Sequence, residues 1–309
     1  MAPELRDLIA GELDRPAGPE AEAMAARLAA RPGVAAVLFY GARLRDDAGG
    51  GAEKRSGEGP LDFYLLTDSD SAYHGFGLSA LANHLLPPNV YHKVIEGSPQ
   101  GSGRIEAKVA VASLAAFRAR MRPGAMDTTM WARFTQPVAL VWARSPAERE
   151  AVLDAVAAAV ETAAWWAARL APEQADADET WRALFHHTYG SELRVESGGR
   201  ARDLIAAAPE RYRHLHRLLI ADHPPGDRKA GDRKTAARAW RRRQIAGKFR
   251  NLARLTKAAF TYRGGFAYAL AKVERHSGHS VELSPWQRRW PWLAAPVVLW
   301  RLWRQRRLR

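Results

Sequence analysis

The chain has 309 residues, 47% of them apolar, enough to bury a sizeable core and to exclude wholesale disorder. It contains no cysteine, which excludes disulfides, thiolate nucleophiles and cysteine zinc sites and suits a reducing compartment. The net charge of +14 is uneven: Arg228–Arg309 carry 22 Lys/Arg and 3 Asp/Glu (net +19), and the remainder carries 25 and 30 (net −5), so a slightly acidic body is joined to a basic part that seeks nucleic acid or anionic lipid.

The first residues, MAPELRDLIAGELDR, carry acids and lack a long apolar stretch, so no secretory signal is expected. Helical spacing runs through residues 1–31 and breaks at Pro32-Gly33. Val34–Tyr40 is a short apolar run suited to a buried strand, and Leu61–Leu66 is a second. Between them lies a long Gly-rich loop, Gly41–Pro60. Residues 76–86 predict a helix, Val90–Glu96 and Arg104–Ser113 two strands, Leu114–Met121 and Met126–Phe134 short helices, and Pro137–Ala143 a last strand. From Pro146 the pattern turns helical, strongest over Pro146–Leu170 and Glu179–Tyr189. Asp222–Lys234 predicts a polar linker or exposed loop, Thr235–Tyr262 a long basic helix and Gly264–His276 another helix. The expected domains are an α/β domain over 1–145, a helical domain over 146–276 and a basic tail over 277–309.

The tail holds Trp286, Trp290, Trp292, Trp300 and Trp303, five of the 11 tryptophans, with arginines between them. Trp among Arg is the composition of a membrane interface. The apolar run from Trp290 to Trp300 is interrupted by proline and far shorter than the ~20 residues needed to span a bilayer. The expectation is a tail that lies on an anionic membrane surface, which makes the protein peripheral on the cytoplasmic face. The same composition also stacks on RNA bases. The basic helix, from Arg238 to Lys257, suits lipid headgroups or water.

The chemically informative pattern is a strand ending in Tyr40-Gly41, followed by a strand that begins with Leu61-Asp62. In nucleotidyltransferases of the polymerase-β type, a turn after the first strand offers backbone N–H groups to a triphosphate. An acid on the neighbouring strand holds Mg²⁺ against the same phosphates. Glycine permits that close backbone approach.

Further segments, in order, resemble the mitochondrial-type phosphatidate cytidylyltransferase family (the translocator assembly and maintenance protein) and its bacterial relatives. Tyr40-Gly41-Ala42-Arg43 is similar to the family's Tyr-Gly-Ser-Gly, and Leu61-Asp62-Phe63 to its Ile-Asp-Phe. Tyr73-His74 and Pro88-Asn89-Val90-Tyr91-His92 echo its Trp-His and Asn…His-Tyr segments. Lys108–Ser113 is similar to Lys-Tyr-Gly-Val-Val-Ser. Asp127-Thr-Thr-Met-Trp131 with Gln136-Pro137-Val138 is similar to its Asp…Trp, basic residue, Lys-Pro-Val. His187-Thr-Tyr189-Gly-Ser-Glu192-Leu-Arg194 is similar to Leu-Ser-Tyr-x-Gly-Asp-x-Arg-Met, and Lys257 to Lys272 loosely matches a Lys-Gly…Thr-Ala-Gly…Tyr…Lys pattern. Ala42 stands where the family has Ser, and Glu192 where it has Asp. The resemblance implies an α+β fold: a polymerase-β-like nucleotidyltransferase domain with a mixed sheet, then a helical domain and an amphipathic C-terminal tail. It implies transfer of CMP from CTP to phosphatidate with Mg²⁺, giving CDP-diacylglycerol and pyrophosphate, with no nucleic acid as partner.

On that reading Asp62 is the first metal ligand. Position 64 is Tyr, so an Asp-x-Asp pair is absent, and the second carboxylate is sought at Glu106 or Asp127. Glu106 reads equally as an exposed strand residue, and Asp127 as a helix N-cap. Lys108, inside an apolar strand, needs an anion or a partner and is assigned to the triphosphate. Tyr40, Gly41, Ala42 and Arg43 form the nucleotide turn, and Arg43 reads equally as a solvated loop residue. Tyr189, Glu192 and Arg194 are assigned to the substrate wall. Two other functions stay open: a nucleotidyltransferase acting on RNA or protein, and an inactive peripheral membrane adaptor.

Overall fold

A computed structural model describes residues 3–44, 59–98, 101–191, 198–221, 230–261 and Ser284. The chain opens with two helices, α1 (Pro3–Leu13) and α2 (Pro19–Ala29), where one continuous helical stretch was expected. Gly18, at φ +79°, ends the connection and Pro19 starts the second helix. Strand β1 (Val34–Tyr40) follows, buried at every position, and then β2 (Leu61–Thr67). Between β2 and the next strand lie α3 (Asp70–His74), which periodicity did not predict, and α4 (Leu78–Leu85). Strands β3 (Asn89–Ser98) and β4 (Gly101–Ser113) form an antiparallel pair. Then come α5 (Leu114–Ala119), α6 (Thr128–Phe134) and β5 (Val138–Ala143).

The five strands form one sheet in the order β3-β4-β2-β1-β5. β2 and β4 run parallel and the other pairs antiparallel, so the sheet is mixed and the fold is α+β. Both faces are covered. Ala36, Leu38, Tyr40, Tyr64, Leu66 and Ala110 feed one core, completed by α1, α6 and the later helices. Val37, Phe39, Phe63, Leu65, Val109 and Val111 feed the other, closed by α2 and by Tyr73 of α3. Burial on both faces explains why these strands read as unbroken apolar runs instead of alternating patterns.

After β5 the chain is helical: α7 (Pro146–Leu170), α8 (Ala177–Tyr189), α9 (Gly198–Ala206), α10 (Pro209–His216) with a π turn over Arg217–Ala221, and α11 (Ala230–Thr261). Ser145 caps α7 by accepting from the Ala147 N–H at 3.2 Å. α7 is the one helix among the described residues long and apolar enough to cross a bilayer, but its apolar stretch is mostly buried in the core. α9 and α10 fall in a stretch for which no element was predicted. Residues Ala230–Lys234, expected as the end of a polar linker or exposed loop, belong to α11, where Asp232 lies in the first turn, the place in a helix where an acid is favoured.

Compact packing separates residues 1–249 from residues 250–309. The expected boundary at 145/146 falls inside the first unit, where the sheet and α7, α8 and α10 share a core. A buried ion pair also joins its two ends: Arg211 binds Glu12 through Nε and through Nη2 at 2.9 Å, and donates Nη1 to the Thr135 carbonyl at 2.8 Å. In the second unit the described residues are the last turns of α11 and Ser284. The expected helix Gly264–His276 and the tail tryptophans lie outside the described residues.

Candidate active site

The sheet lines up a row of residues that the sequence leaves far apart. Tyr40, at the end of β1, pairs with Asp62 near the start of β2. Asp62 pairs in turn with Lys108 on β4, and Lys108 with His92 on β3. Directly paired residues share a face, so all four side chains rise from the same side, the side that holds Tyr40 and Tyr64 in the first core. Inward of this row the face is closed by aromatic packing. Tyr64, at the position where a second aspartate would stand, lies with its ring 5.0 Å from Phe134 and 5.6 Å from Tyr40, and Phe117 meets Phe134 at 4.7 Å. Tyr40 and Tyr64 are buried, whereas Asp62, Lys108 and His92 are half-buried. The row therefore marks the edge where the apolar face opens.

The turn after β1 comes down onto this row. Gly41 has φ +100°, a backbone state that side-chain-bearing residues rarely adopt. A Cβ built there would lie 2.9 Å from Asp62 Oδ2 and 3.3 Å from Asp62 Cβ. The backbone of the turn and the carboxylate of the next strand are thus in contact, and only glycine fits without displacing the carboxylate. Ala42, Arg43 and Leu44 form a helical turn. Arg43 is held away from the row by an ion pair with Glu20 of α2 at 2.9 Å. It also reaches the Gly59 carbonyl at 3.5 Å, so it ties the turn to α2.

Glu106 lies two residues before Lys108 on the same face. Its carboxylate is engaged by His92 Nε2 at 3.0 Å and Arg104 at 3.2 Å. Asp127 takes the capping role: its Oδ1 accepts from the Thr129 N–H at 3.2 Å and the Thr129 hydroxyl at 2.6 Å, at the start of α6. Tyr189 ends α8 and is packed against the first core. Glu192 and Arg194 lie outside the described residues.

One residue that sequence reasoning did not assign joins the site. Arg133 of α6 donates Nη1 to the Tyr40 hydroxyl at 3.0 Å, with its guanidinium 5.1 Å from the Tyr40 ring centre. Its position follows from the sheet register. Val138 pairs with Tyr40, so the helix that ends just before Pro137 must deliver its last turn beside the end of β1.

A single carboxylate beside a glycine turn, with Glu106 diagonal to it, is a donor set that suits Mg²⁺ brought in by a nucleotide. Mg²⁺ takes one or two protein carboxylates and completes its shell with phosphate oxygens and water. Among the described residues no group of three or more His, Asp or Glu side chains converges as a resident metal cage.

The opposite face carries a second polar cluster. Asp70 accepts from Asn83 Nδ2 at 2.7 Å and lies 3.3 Å from His84 Nδ1. Asn83 Oδ1 accepts the Asn89 N–H at 2.6 Å, and Asn89 Nδ2 donates to the Ser79 carbonyl at 3.0 Å. The Tyr91 hydroxyl lies 3.1 Å from His74 Nδ1. Burial pushes the Tyr73 and Tyr91 hydroxyls above their ordinary pKa; burial, with the Arg31 charge nearby, pulls Lys93 down.

A search of known protein families finds no match to this chain, and no curated protein matches it either.

Proposed function

We propose that the protein is a Mg²⁺-dependent nucleotidyltransferase with a polymerase-β-like catalytic domain, and that it transfers CMP from CTP to the phosphate of phosphatidate to form CDP-diacylglycerol. The observation that carries this reading is the contact of the Gly41 turn with the Asp62 carboxylate, at one end of the row that continues through Lys108 to His92. Backbone amides, a carboxylate and a cation on one open sheet edge are the parts that a triphosphate needs. The choice of CTP and of a lipid acceptor rests on the sequence resemblance and on the basic, Trp-rich C-terminal part.

The acceptor is a phosphate monoester, already anionic near neutral pH, so no strong general base is required. The chain's task is positioning and charge neutralisation. Asp62 would hold Mg²⁺, with Glu106 diagonal to it on the neighbouring strand as a further carboxylate. The ion, when bound, offsets charge on the triphosphate. The Gly41 turn offers main-chain N–H groups to the phosphates. Lys108 and Arg133 face charge that builds on the departing pyrophosphate. Tyr40 orients Arg133 through its hydroxyl, and Glu106 orients His92.

The test is incubation of the purified chain with Mg²⁺, radiolabelled CTP and phosphatidate in mixed micelles, beside Asp62→Ala. Label in the lipid that vanishes in the variant is the expected result. Label that enters RNA or protein instead would move the assignment to another acceptor. An absence of any transfer, with no CTP binding, would leave a protein without this chemistry.

A further inference from the structure

Helix α11 presents two faces of opposite character. Ala236, Trp240, Arg243 and Gly247, spaced three and four apart, are buried. The Trp240 ring packs 5.0 Å from Trp166 and 6.2 Å from Trp131. Arg243 lies 4.5 Å from the Trp166 ring and donates to the carbonyls of Pro123, Gly124 and Ala125 at 3.1–3.3 Å. A Cβ on Gly247 would lie 2.8 Å from the Ser191 carbonyl oxygen. These contacts fix the rotation of the helix about its own axis, so its other face is set by packing.

That other face carries Ile245 and Phe249, 52% and 71% exposed, flanked by exposed Arg238, Arg241, Arg242 and Lys248. Leu252 continues the same helical spacing and is also exposed. From Arg233 to Thr261 the helix contains no Asp or Glu. Exposed apolar residues on an ordinary solvated helix are scattered and mixed with both charge signs. Here they form a stripe, one aromatic among them, bordered by one sign of charge.

We propose that this face of α11, from Arg238 to Phe249, is the surface by which the protein docks on an anionic lipid bilayer. Ile245 and Phe249 enter the boundary between headgroups and acyl chains, while Arg238, Arg241, Arg242 and Lys248 meet lipid phosphates. An amphipathic basic helix lies in the interface plane in this way, held jointly by buried apolar area and by attraction to anionic lipid. Nucleic acid would be met by the cations but gives no reason for an apolar stripe between them. A second copy of the chain would bring the same positive face against itself. The proposal is independent of the Trp-rich tail and of the catalytic row. It makes lipid capture a property of a helix locked to the catalytic body.

The test is co-sedimentation of the full chain with vesicles of phosphatidylcholine alone, and of phosphatidylcholine mixed with phosphatidylglycerol. Two variants are compared with wild type: Ile245→Asp with Phe249→Asp, and Arg238→Gln with Arg241→Gln and Arg242→Gln. Each cation near a charged bilayer contributes about fivefold in partitioning, so the triple variant is expected to lose about a hundredfold on anionic vesicles. The double variant is expected to lose about tenfold or more. If circular dichroism shows that the aspartates unfold the chain, the arginine variant decides. Unchanged sedimentation of the arginine variant overturns the proposal. So does loss of single-stranded RNA binding with vesicle binding intact, or a wild-type dimer on size exclusion that the variants dissolve. Transfer of CMP to a short-chain, water-soluble phosphatidate keeps the two readings apart. Both variants are expected to retain it, and its absence from wild type would remove the proposed reaction while the vesicle result still stands.

Discussion

Strand β3 serves two polar clusters, one on each face of the sheet, and they differ in how their hydrogen bonds are used. On one face Asn89 and Tyr91 join Asp70, Asn83 and His74 in a hydrogen-bonded network that links α3, α4 and β3. On the other, His92 and Glu106 border a row in which Lys108 and Asp62 sit at the edge of an apolar face, half-buried, below a glycine turn. The first arrangement fastens α3 and α4 to the sheet. The second gathers Asp62, Lys108 and the His92–Glu106 pair beside the Gly41 turn, the arrangement on which the proposed reaction rests. Burial of polar groups alone does not distinguish a site from a brace. Polar groups answer one another on both faces, His92 with Glu106 on this one, so the distinction has to be drawn by substitution.

Substitution separates the two. Asp62→Ala is expected to lower the rate of CMP transfer by about three orders of magnitude or more, with little change in melting temperature. Gly41→Ala forces a Cβ against the Asp62 carboxylate at positive φ. The expected loss is roughly a hundredfold in rate, with about 1–2 kcal/mol of stability, read by steady-state kinetics and denaturant titration. On the opposite face the signature is reversed. Asn83→Ala leaves the Asn89 N–H without its partner and takes one of two side-chain contacts from Asp70, which keeps His84; the cost is about 1–3 kcal/mol in urea unfolding while turnover per folded molecule stays near wild type. A fall in turnover equal to that of Asp62→Ala would mean that the brace belongs to the site. Tyr40→Phe removes one hydrogen bond to Arg133 and is expected to reduce the rate by about tenfold, as judged from kcat.

The smallest effect lies at the far end of the sheet. Arg144 forms paired 2.7 Å hydrogen bonds with Asp68 that hold this carboxyl below the usual range. A lowered folded-state pKa contributes stability above the unfolded value, about 4, that is lost as pH falls through the folded one. Because both groups are largely exposed, Asp68→Asn is expected to cost under about 1 kcal/mol at neutral pH. Wild type and variant should converge in acid, as thermal melts across pH would show.

Much of the sheet was legible because its strands are buried on both faces. Val34–Tyr40 and Leu61–Leu66 are apolar runs too short for helices and bounded by glycine or proline. α7 was legible from a serine cap, a proline and a 25-residue stretch rich in Ala, Glu, Leu and Arg. α3 was not, since five residues hold too little periodicity and its stability comes from the Ser69 cap and from Tyr73 in the core. At the site, Asp62 and the Gly41 turn could be placed side by side from sequence because adjacent strands carry them. Arg133 could not, because its proximity depends on β5 pairing with β1 across almost a hundred residues. Asp127 and Glu106 have the right chemistry for ligands. Asp127 caps α6, a role its place before Thr128 already suggested, whereas the engagement of Glu106 by His92 and Arg104 depends on the pairing of β3 with β4 and on side-chain placement that the sequence does not spell out.

The pairing of Glu12 with Arg211 spans 199 residues. At a synthesis rate of about 5–20 residues per second, Glu12 leaves the ribosome roughly 10–40 s before its partner exists. Throughout that interval the Glu12 carboxylate has water for company, although α1 can already pack on α7, where Arg6 meets Asp154 and Arg149 meets Asp14. A nascent chain halted before α10 would therefore carry a docked first helix with one buried acid still waiting for its cation.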